Sequence, residues 1–468
     1  MKKTIFSSAI ACLLCFALPA LGQEKTTDNN DQQFYWVAFK DKANTPYTVD
    51  APEAFLSPRA IARRQKLGIP VTTEDFPPNP GYLKGITEAG AKVHHTSRWL
   101  NAATIYGESA MLPAIKSLPF VDTIWYAGPY RAKGKASVER DAKMDKLKSK
   151  ALTGQHYGYG TKQIKAINGD SLHLMGYRGK GVLVAVMDGG FTGVDRSPFF
   201  DSLRADNRLL TSMDMVDKDT LVWESSSHGT KVLSTMAANQ PEVLVGTAPD
   251  ATYVCIKTED TRGEHRIEEC HWVAGLEYAD SLGADVMNSS LGYTQFDEVS
   301  MNYTAKDLTG SISVASQAAN IAARKGMLVV TSAGNEGSSP WRRIGIPADA
   351  AGAFSIGATA LNGDLASFSS VGPTADRRIK PDIVAPGAWV TLADAYQYQV
   401  TIGSGTSFAS PIVAGMVACL REAYPEASVE ELLDAIRSSS SQSDLPDVAV
   451  GYGMPDFVKA YLALRKHP

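Results

Sequence analysis

Short continuous apolar runs alternate with helix-length stretches over most of this chain. Val182–Met187, Ala251–Ile256, Ala284–Met287, Met327–Thr331 and Ala353–Ile356 read as strands buried on both faces. Ser234 and its neighbours, Ile267–Ser281, Ser313–Arg324, Ser410–Ala423 and Val429–Ser438 read as helices. That alternation predicts an α/β fold with a mainly parallel sheet flanked by helices, whose ligands bind at the carboxyl ends of the strands. Residues 34–126 have another rhythm. Phe34–Phe39, Ala91–His95, Asn101–Ile105 and Val121–Trp125 are strand-like, and Leu56–Lys66, Tyr82–Ala89 and Met111–Leu118 are helix-like. The β-α-β-β-α-β order predicts a small α+β domain of ferredoxin-like type ahead of the larger one.

The termini and junctions refine this division. Met1-Lys2-Lys3 followed by an apolar stretch to Leu18 and the small-x-small triplet Ala20-Leu21-Gly22 reads as a Sec signal peptide over residues 1–22. Residues 23–33 are then a spacer. The apolar stretch is short for a membrane span, and no later segment is long and apolar enough to be one. The protein is therefore expected to be exported, to the periplasm or beyond the cell. From Arg131 to Lys150 there are eight Lys/Arg against three Asp/Glu, whereas residues 151–468 carry 25 Lys/Arg against 36 Asp/Glu. Residues 131–154 are thus a basic linker between a domain at 34–130 and one at 155–468. It is either a plain connection or the site of a processing cut. No nucleic-acid surface is suggested. Beyond the leader, which holds Cys12 and Cys15, only Cys255, Cys270 and Cys419 remain, all in apolar settings. That small odd count points to buried free thiols, not a disulfide framework.

The chemistry is concentrated at strand ends and one turn. The first long strand ends in Asp188-Gly189-Gly190, Ser227-His228-Gly229-Thr230 precedes a helix, and a later strand runs into Ala333-Gly334-Asn335-Glu336-Gly337. Gly405-Thr406-Ser407 stands directly before the apolar run 412–418, which puts Ser407 at a helix N-terminus, where negative charge is favoured. Any one of these segments is more often a turn, a cap or a loop. Their order, Asp then His then Ser, is one of the known orders of a nucleophile triad. Of the other histidines, His94 and His95 lie in the small domain, His156 and His173 precede the aspartate, His265 and His271 flank a helix with acidic neighbours, and His467 is terminal. None falls into a zinc-ligand spacing, so a metallopeptidase lacks ligands.

These blocks resemble the signature segments of the subtilisin-like serine peptidase (subtilase) family. Met287–Gly292, Ala366–Pro373 and Lys380–Gly387 resemble further segments of it, over roughly residues 155–460. The resemblance implies a serine endopeptidase acting on proteins or peptides. Ser407 is the implied nucleophile, His228 the base, Asp188 its orienting carboxylate and Asn335 the oxyanion donor. Ser290, Leu291 and Gly292 with Ala333 and Gly334 are the implied walls of the first specificity pocket. Glu336 stands at its rim or base, or is simply a solvated charge; the first role implies tolerance of basic residues before the cut. The small domain is implied to be an inhibitor-type prodomain, cleaved by the enzyme itself, with a permanent accessory domain as the alternative. No cofactor is expected for the chemistry. A structural calcium at Gln155, Asp195 and 239–245 is implied for some members, but here the loop is short and carries Pro241. Residues 293–312 read as an insertion near the substrate face. Met187 and Gly189 beside the aspartate, and Lys231 and Leu233 after the histidine, depart from the family's usual residues and are expected to touch no catalytic group.

Overall fold

Strand β1 (Gln32–Phe39) carries apolar residues at consecutive positions because both of its faces are covered. The computed structural model describes residues 32–133 and 151–465; the leader and most of the basic linker lie outside them. After β1 come α1 (Pro58–Lys66), α2 (Pro80–Glu88), β2 (Lys92–Ser97), β3 (Ala102–Glu108), α3 (Leu112–Lys116) and β4 (Val121–Pro129). The four strands form an antiparallel sheet in the order β2-β3-β1-β4, the ferredoxin-like arrangement expected, with α1 as an additional helix. Tyr35, Val37 and Phe39 face Ile86 of α2 and Ile115 of α3 in the domain's own core. Phe34 and Trp36, on the opposite face, join a core that belongs mainly to the larger domain. Alternation along a strand allows this division, and covering both faces removes the usual polar partner positions. Helix α1 starts sharply because the Ser57 side chain accepts the Ala60 N–H and Pro58 occupies a position where no amide hydrogen is needed.

The larger domain runs α4 (Thr161–Lys165), α5 (Gly169–Leu174), β5 (Leu183–Asp188), α6 (Asp201–Ala205), β6 (Leu209–Asp214), α7 (His228–Ala237), β7 (Asn239–Gln240), β8 (Leu244–Val245) and β9 (Thr252–Lys257). Next are α8 (Ile267–Leu282), β10 (Val286–Ser289), α9 (Val314–Arg324), β11 (Leu328–Ser332), β12 (Ala353–Thr359), β13 (Ile383–Pro386), β14 (Val390–Ala393), β15 (Val400–Gly403), α10 (Thr406–Ala423), α11 (Val429–Ser438) and α12 (Phe457–Arg465). Seven strands form a wholly parallel sheet in the order β13-β12-β11-β10-β5-β9-β6. Helices α7 and α10 pack on one face, α8 and α9 on the other. Five of the seven strands and the flanking helices are those predicted; four of these strands are displaced by a residue or two, and β12 runs three residues further than expected. Two of the seven strands of this sheet escaped the sequence pattern, as did the short pairs β7-β8 and β14-β15. Edge strand β6 keeps Leu210 half exposed, and β13 is only four residues long.

The two domains meet on α8. The α8 carboxylate Asp280 receives guanidinium groups from Arg63 at 2.6 Å, Arg64 at 2.8 Å and Arg98 at 3.2 Å. Glu277, one turn earlier, accepts the Arg98 N–H at 2.7 Å and the Ser97 hydroxyl at 2.5 Å. Asp75 pairs with Arg64 at 2.8 Å and with Lys325 of the larger domain at 2.9 Å. Burial alone would raise the Asp280 carboxyl, but its arginine partners outweigh that and hold it below its ordinary range. The arginines of α1 also approach the C-terminal end of α8, where its dipole favours positive charge, and Ser57 N–H donates to the Ser281 carbonyl at 2.9 Å.

Candidate active site

Strand β5 ends in Asp188, beside the point where the strand order reverses: β9 and β6 lie to one side of it, β10 to β13 to the other. A crevice opens there in open parallel sheets. The carboxylate is fully buried, and its Oδ1 accepts the Gly189 N–H at 2.8 Å. Gly189 was expected to touch no catalytic group; its backbone does, although it offers no side chain. His228 is the first residue of α7, and its Nδ1 stands 2.9 Å from each Asp188 oxygen. Gly229 permits this approach, since a Cβ there would collide with the Gly190 carbonyl and the Asp188 Cβ. The imidazole is about a third exposed.

Ser407 lies in the first turn of α10, not in a loop ahead of it. The sequence pattern set the start of this helix at Ser410; it begins at Thr406. Pro411 sits inside the helix and has no N–H for the Ser407 carbonyl four residues earlier. That carbonyl instead accepts the Ser290 hydroxyl at 2.8 Å, while the Ser407 hydroxyl is 3.3 Å from the Ser290 carbonyl. Phe408, the next residue, places its ring 5.7 Å from the His228 imidazole, which brings the β5, α7 and α10 ends to one rim.

Asn335 follows β11 and is exposed to the cleft. Its Oδ1 accepts the Thr406 N–H at 2.9 Å and the Thr406 hydroxyl at 3.0 Å. Because an amide N–H can only donate, this contact fixes the side chain's orientation and leaves Nδ2 beside Gly405. Ser290–Gly292 follow β10 and Ala333–Gly334 follow β11. They are tied through residues 345 and 346: Gly345 N–H donates to the Ala333 carbonyl at 2.9 Å and Tyr293 N–H to the Ile346 carbonyl at 2.8 Å. Glu336 folds back over Gly334, whose φ of +113° admits no ordinary side chain, and accepts the Ser370 hydroxyl at 2.8 Å.

Sequence reasoning missed Glu259. It follows β9, its Cβ lies near Gly189, and burial pushes its carboxyl up to about 8 despite hydroxyl donors from Tyr293 and Thr258. A carboxylate two residues after a strand end was the available signal. Residues 293–312 lie partly under the small domain: Tyr126 of β4 donates to Glu298 at 2.8 Å, and Phe296 and Tyr303 are buried. Of the residues considered for calcium, Asp195 lies beside Arg196 at 3.8 Å. Among the described residues, the group of three or more His, Cys, Asp or Glu side chains whose ligand atoms converge within 4.8 Å lies elsewhere, at His94, His95 and His271.

Comparison with known proteins places the chain in a family. Residues 179–453 match the model of the subtilase family, and residues 34–143 match that of the peptidase S8 propeptide domain of Bacteroidota. The chain is 30% identical to subtilisin NAT of Bacillus subtilis subsp. natto over 364 residues, covering 76% of this chain and 80% of that protein. It is 32% identical to subtilisin DY of Bacillus licheniformis over 292 residues, 62% of this chain and 92% of that one. A thermostable alkaline protease of Halalkalibacterium halodurans is 29% identical over 286 residues, 61% of this chain and 69% of that protein.

Proposed function

This chain belongs to the subtilase family of serine endopeptidases, and on that premise we propose that Asp188, His228 and Ser407 are its catalytic triad and that it is exported as a self-processing zymogen. The observation that carries the assignment is the paired 2.9 Å approach of both Asp188 oxygens to His228 Nδ1, on the rim that holds Ser407. A buried carboxylate in that position fixes the tautomer that leaves Nε2 as a base and stabilises the imidazolium formed later. Ser407 Oγ attacks the scissile carbonyl while His228 takes its proton. The imidazolium then protonates the leaving amine, and water repeats the sequence on the acyl-enzyme. Asn335 Nδ2 and the Ser407 N–H receive the negative oxygen. Ser290–Gly292 and Ala333–Gly334 hold the substrate backbone as an added strand, with Glu336 beside the residue before the cut.

Residues 34–130 act as an intramolecular inhibitor, residues 131–154 as a cleavable linker, and residues 155–468 as the peptidase. The exit of the small domain supports this: the Ala132 carbonyl accepts from Arg262 at 2.8 Å and Lys133 pairs with Asp219, both on the larger domain. Residues 1–22 are the export signal, which falls outside the described residues; among the described residues no helix is long and apolar enough to cross a membrane. The intact mass of the unsubstituted protein beside Ser407→Ala tests the reading. Loss of the N-terminal part only in the former is expected. Identical cleavage of both would assign processing to another protease, and casein hydrolysis by Ser407→Ala would remove it as nucleophile.

A further inference from the structure

The three histidines set aside in the sequence as unrelated come together where the two domains meet. Strand β2 pairs with β3 through a bulge: Val93 opposes Ile105 and His95 opposes Thr104, so His94 is an extra residue. Consecutive strand residues normally point to opposite faces, and a bulge re-aims them. Here both imidazoles reach the same neighbour, His271 of α8, with ring centroids 5.4 Å (His94) and 5.6 Å (His95) from it and 4.2 Å from each other. One ring nitrogen from each residue lies within 4.8 Å of one from each of the others.

The hydrogen bonds prepare these rings as ligands. His271 Nδ1 donates to the Thr258 carbonyl at 3.3 Å, which leaves its Nε2 as a lone pair; that nitrogen is buried and has no hydrogen-bond partner. His95 Nε2 donates to the Met215 carbonyl at 2.6 Å, which leaves Nδ1 as its lone pair. His94 Nε2 is likewise buried without a partner, on a side chain only 7% exposed. A ring N–H held by a backbone carbonyl is the usual outer support of a metal-bound imidazole. Unsatisfied buried nitrogens are otherwise costly and call for a reason.

We propose that His94, His95 and His271 form a site for a divalent transition-metal ion, zinc above all, that clamps the small domain to the peptidase. Three neutral imidazoles suit zinc, copper or nickel and leave a fourth position for water. A cleft of about 630 Å³ that includes His94, His95, Met215 and Lys218 in its lining gives the ion a way in. Two ligands come from residues 34–130 and one from the larger domain, so the full set exists only while the two are joined. An ion that binds only the joined form tightens the union by the factor 1 + [ion]/Kd, about 100-fold at 100 times Kd. The consequence for latency, though not the ion site itself, rests on the inhibitory role proposed above.

The test uses the full chain carrying Ser407→Ala, stripped with EDTA and titrated with Zn²⁺ alone in a calorimeter, so no turnover enters the readout. One ion per chain is expected, with binding weakened at least tenfold by His271→Gln and by His94→Gln with His95→Gln. Thermal midpoints in EDTA check that each variant folds. X-ray absorption on the zinc-loaded Ser407→Ala chain, with all histidines in place, should show three imidazole nitrogens at about 2.0–2.1 Å. This reading decides even if the histidine variants do not fold. No saturable binding, binding unchanged in folded variants, or a ligand shell without three imidazoles would overturn the proposal. A failure of self-cleavage in the unsubstituted chain would count against the zymogen reading alone.

Discussion

Helix α8 and the rim around Ser407 belong to one domain but are made of different material. On α8, long charged side chains do the joining: Asp280 and Glu277 gather Arg63, Arg64, Arg98 and the Ser97 hydroxyl from the small domain. On the rim, strand ends and glycines do it, and the key atoms are held by backbone groups such as Gly189 N–H and Thr406 N–H. Long side chains can be reordered when a domain leaves. Backbone contacts persist, so the geometry of the proposed catalytic groups does not depend on the docked domain for its first-turn serine or its aspartate. The comparison separates what must be rigid from what must be releasable.

The sharpest way to break that contrast is on the rim. Asp188→Asn, measured by steady-state hydrolysis of a peptide substrate, is expected to lower kcat about 10⁴-fold, since the amide favours the wrong imidazole tautomer. On the docking side, Asp280→Asn removes the carboxylate shared by Arg63, Arg64 and Arg98, which leaves Arg64 to Asp75, Arg98 to Glu277 and Arg63 with no carboxylate. Breaking a buried pair costs about 3–5 kcal/mol. Chemical denaturation of the full chain carrying Ser407→Ala, with and without Asp280→Asn, should show a loss of stability of comparable size. Asn335→Leu is expected to lower kcat about 10²–10³-fold with little change in KM, a range that itself comes from a subtilisin; equal losses in kcat and affinity would remove Asn335 from the oxyanion site.

Smaller effects sharpen the picture. Glu269 of α8 accepts from Tyr303 at 2.9 Å and from Ser313, and burial pushes its carboxyl up to about 7 from an ordinary value of 4.5. The folded chain therefore holds more protons than the unfolded one between those values, and this contribution to stability is full below 4.5 and is lost as pH rises through 7. Glu269→Gln should flatten the fall in thermal midpoint across that window, and an unchanged slope would assign the fall elsewhere. Least of all, Glu336→Gln should lower the preference for Lys over Leu before the cut by a factor of a few. A constant ratio leaves Glu336 a structural partner of Ser370.

The candidate site was legible through the order of its segments and not through any one of them: an aspartate closing an apolar run, a histidine and a serine opening helices, an asparagine after a strand. The docking surface was not. Arg63, Arg98 and Asp280 each look like ordinary solvated charges in sequence, and only folding brings them to one point. The histidine cluster escaped for two reasons. His271 stands 176 residues after His95, and the bulge that turns His94 and His95 to one side leaves no mark in the hydropathy pattern. Strand β6 was lost because Leu-Leu-Thr-Ser-Met-Asp at a sheet edge lacks a buried run.

Strand β1 covers two cores at once, and this gives activation a direction. Once severed and released, the small domain would carry Phe34, Trp36 and Trp99 into water. Losing their burial forfeits on the order of 5–9 kcal/mol, as much as a domain of this size has to spare. On the zymogen reading proposed above, the freed piece would be a loosened chain beside an active protease and that enzyme's nearest meal. Activation on these terms works as a ratchet: the brake is consumed by the wheel it has just let go.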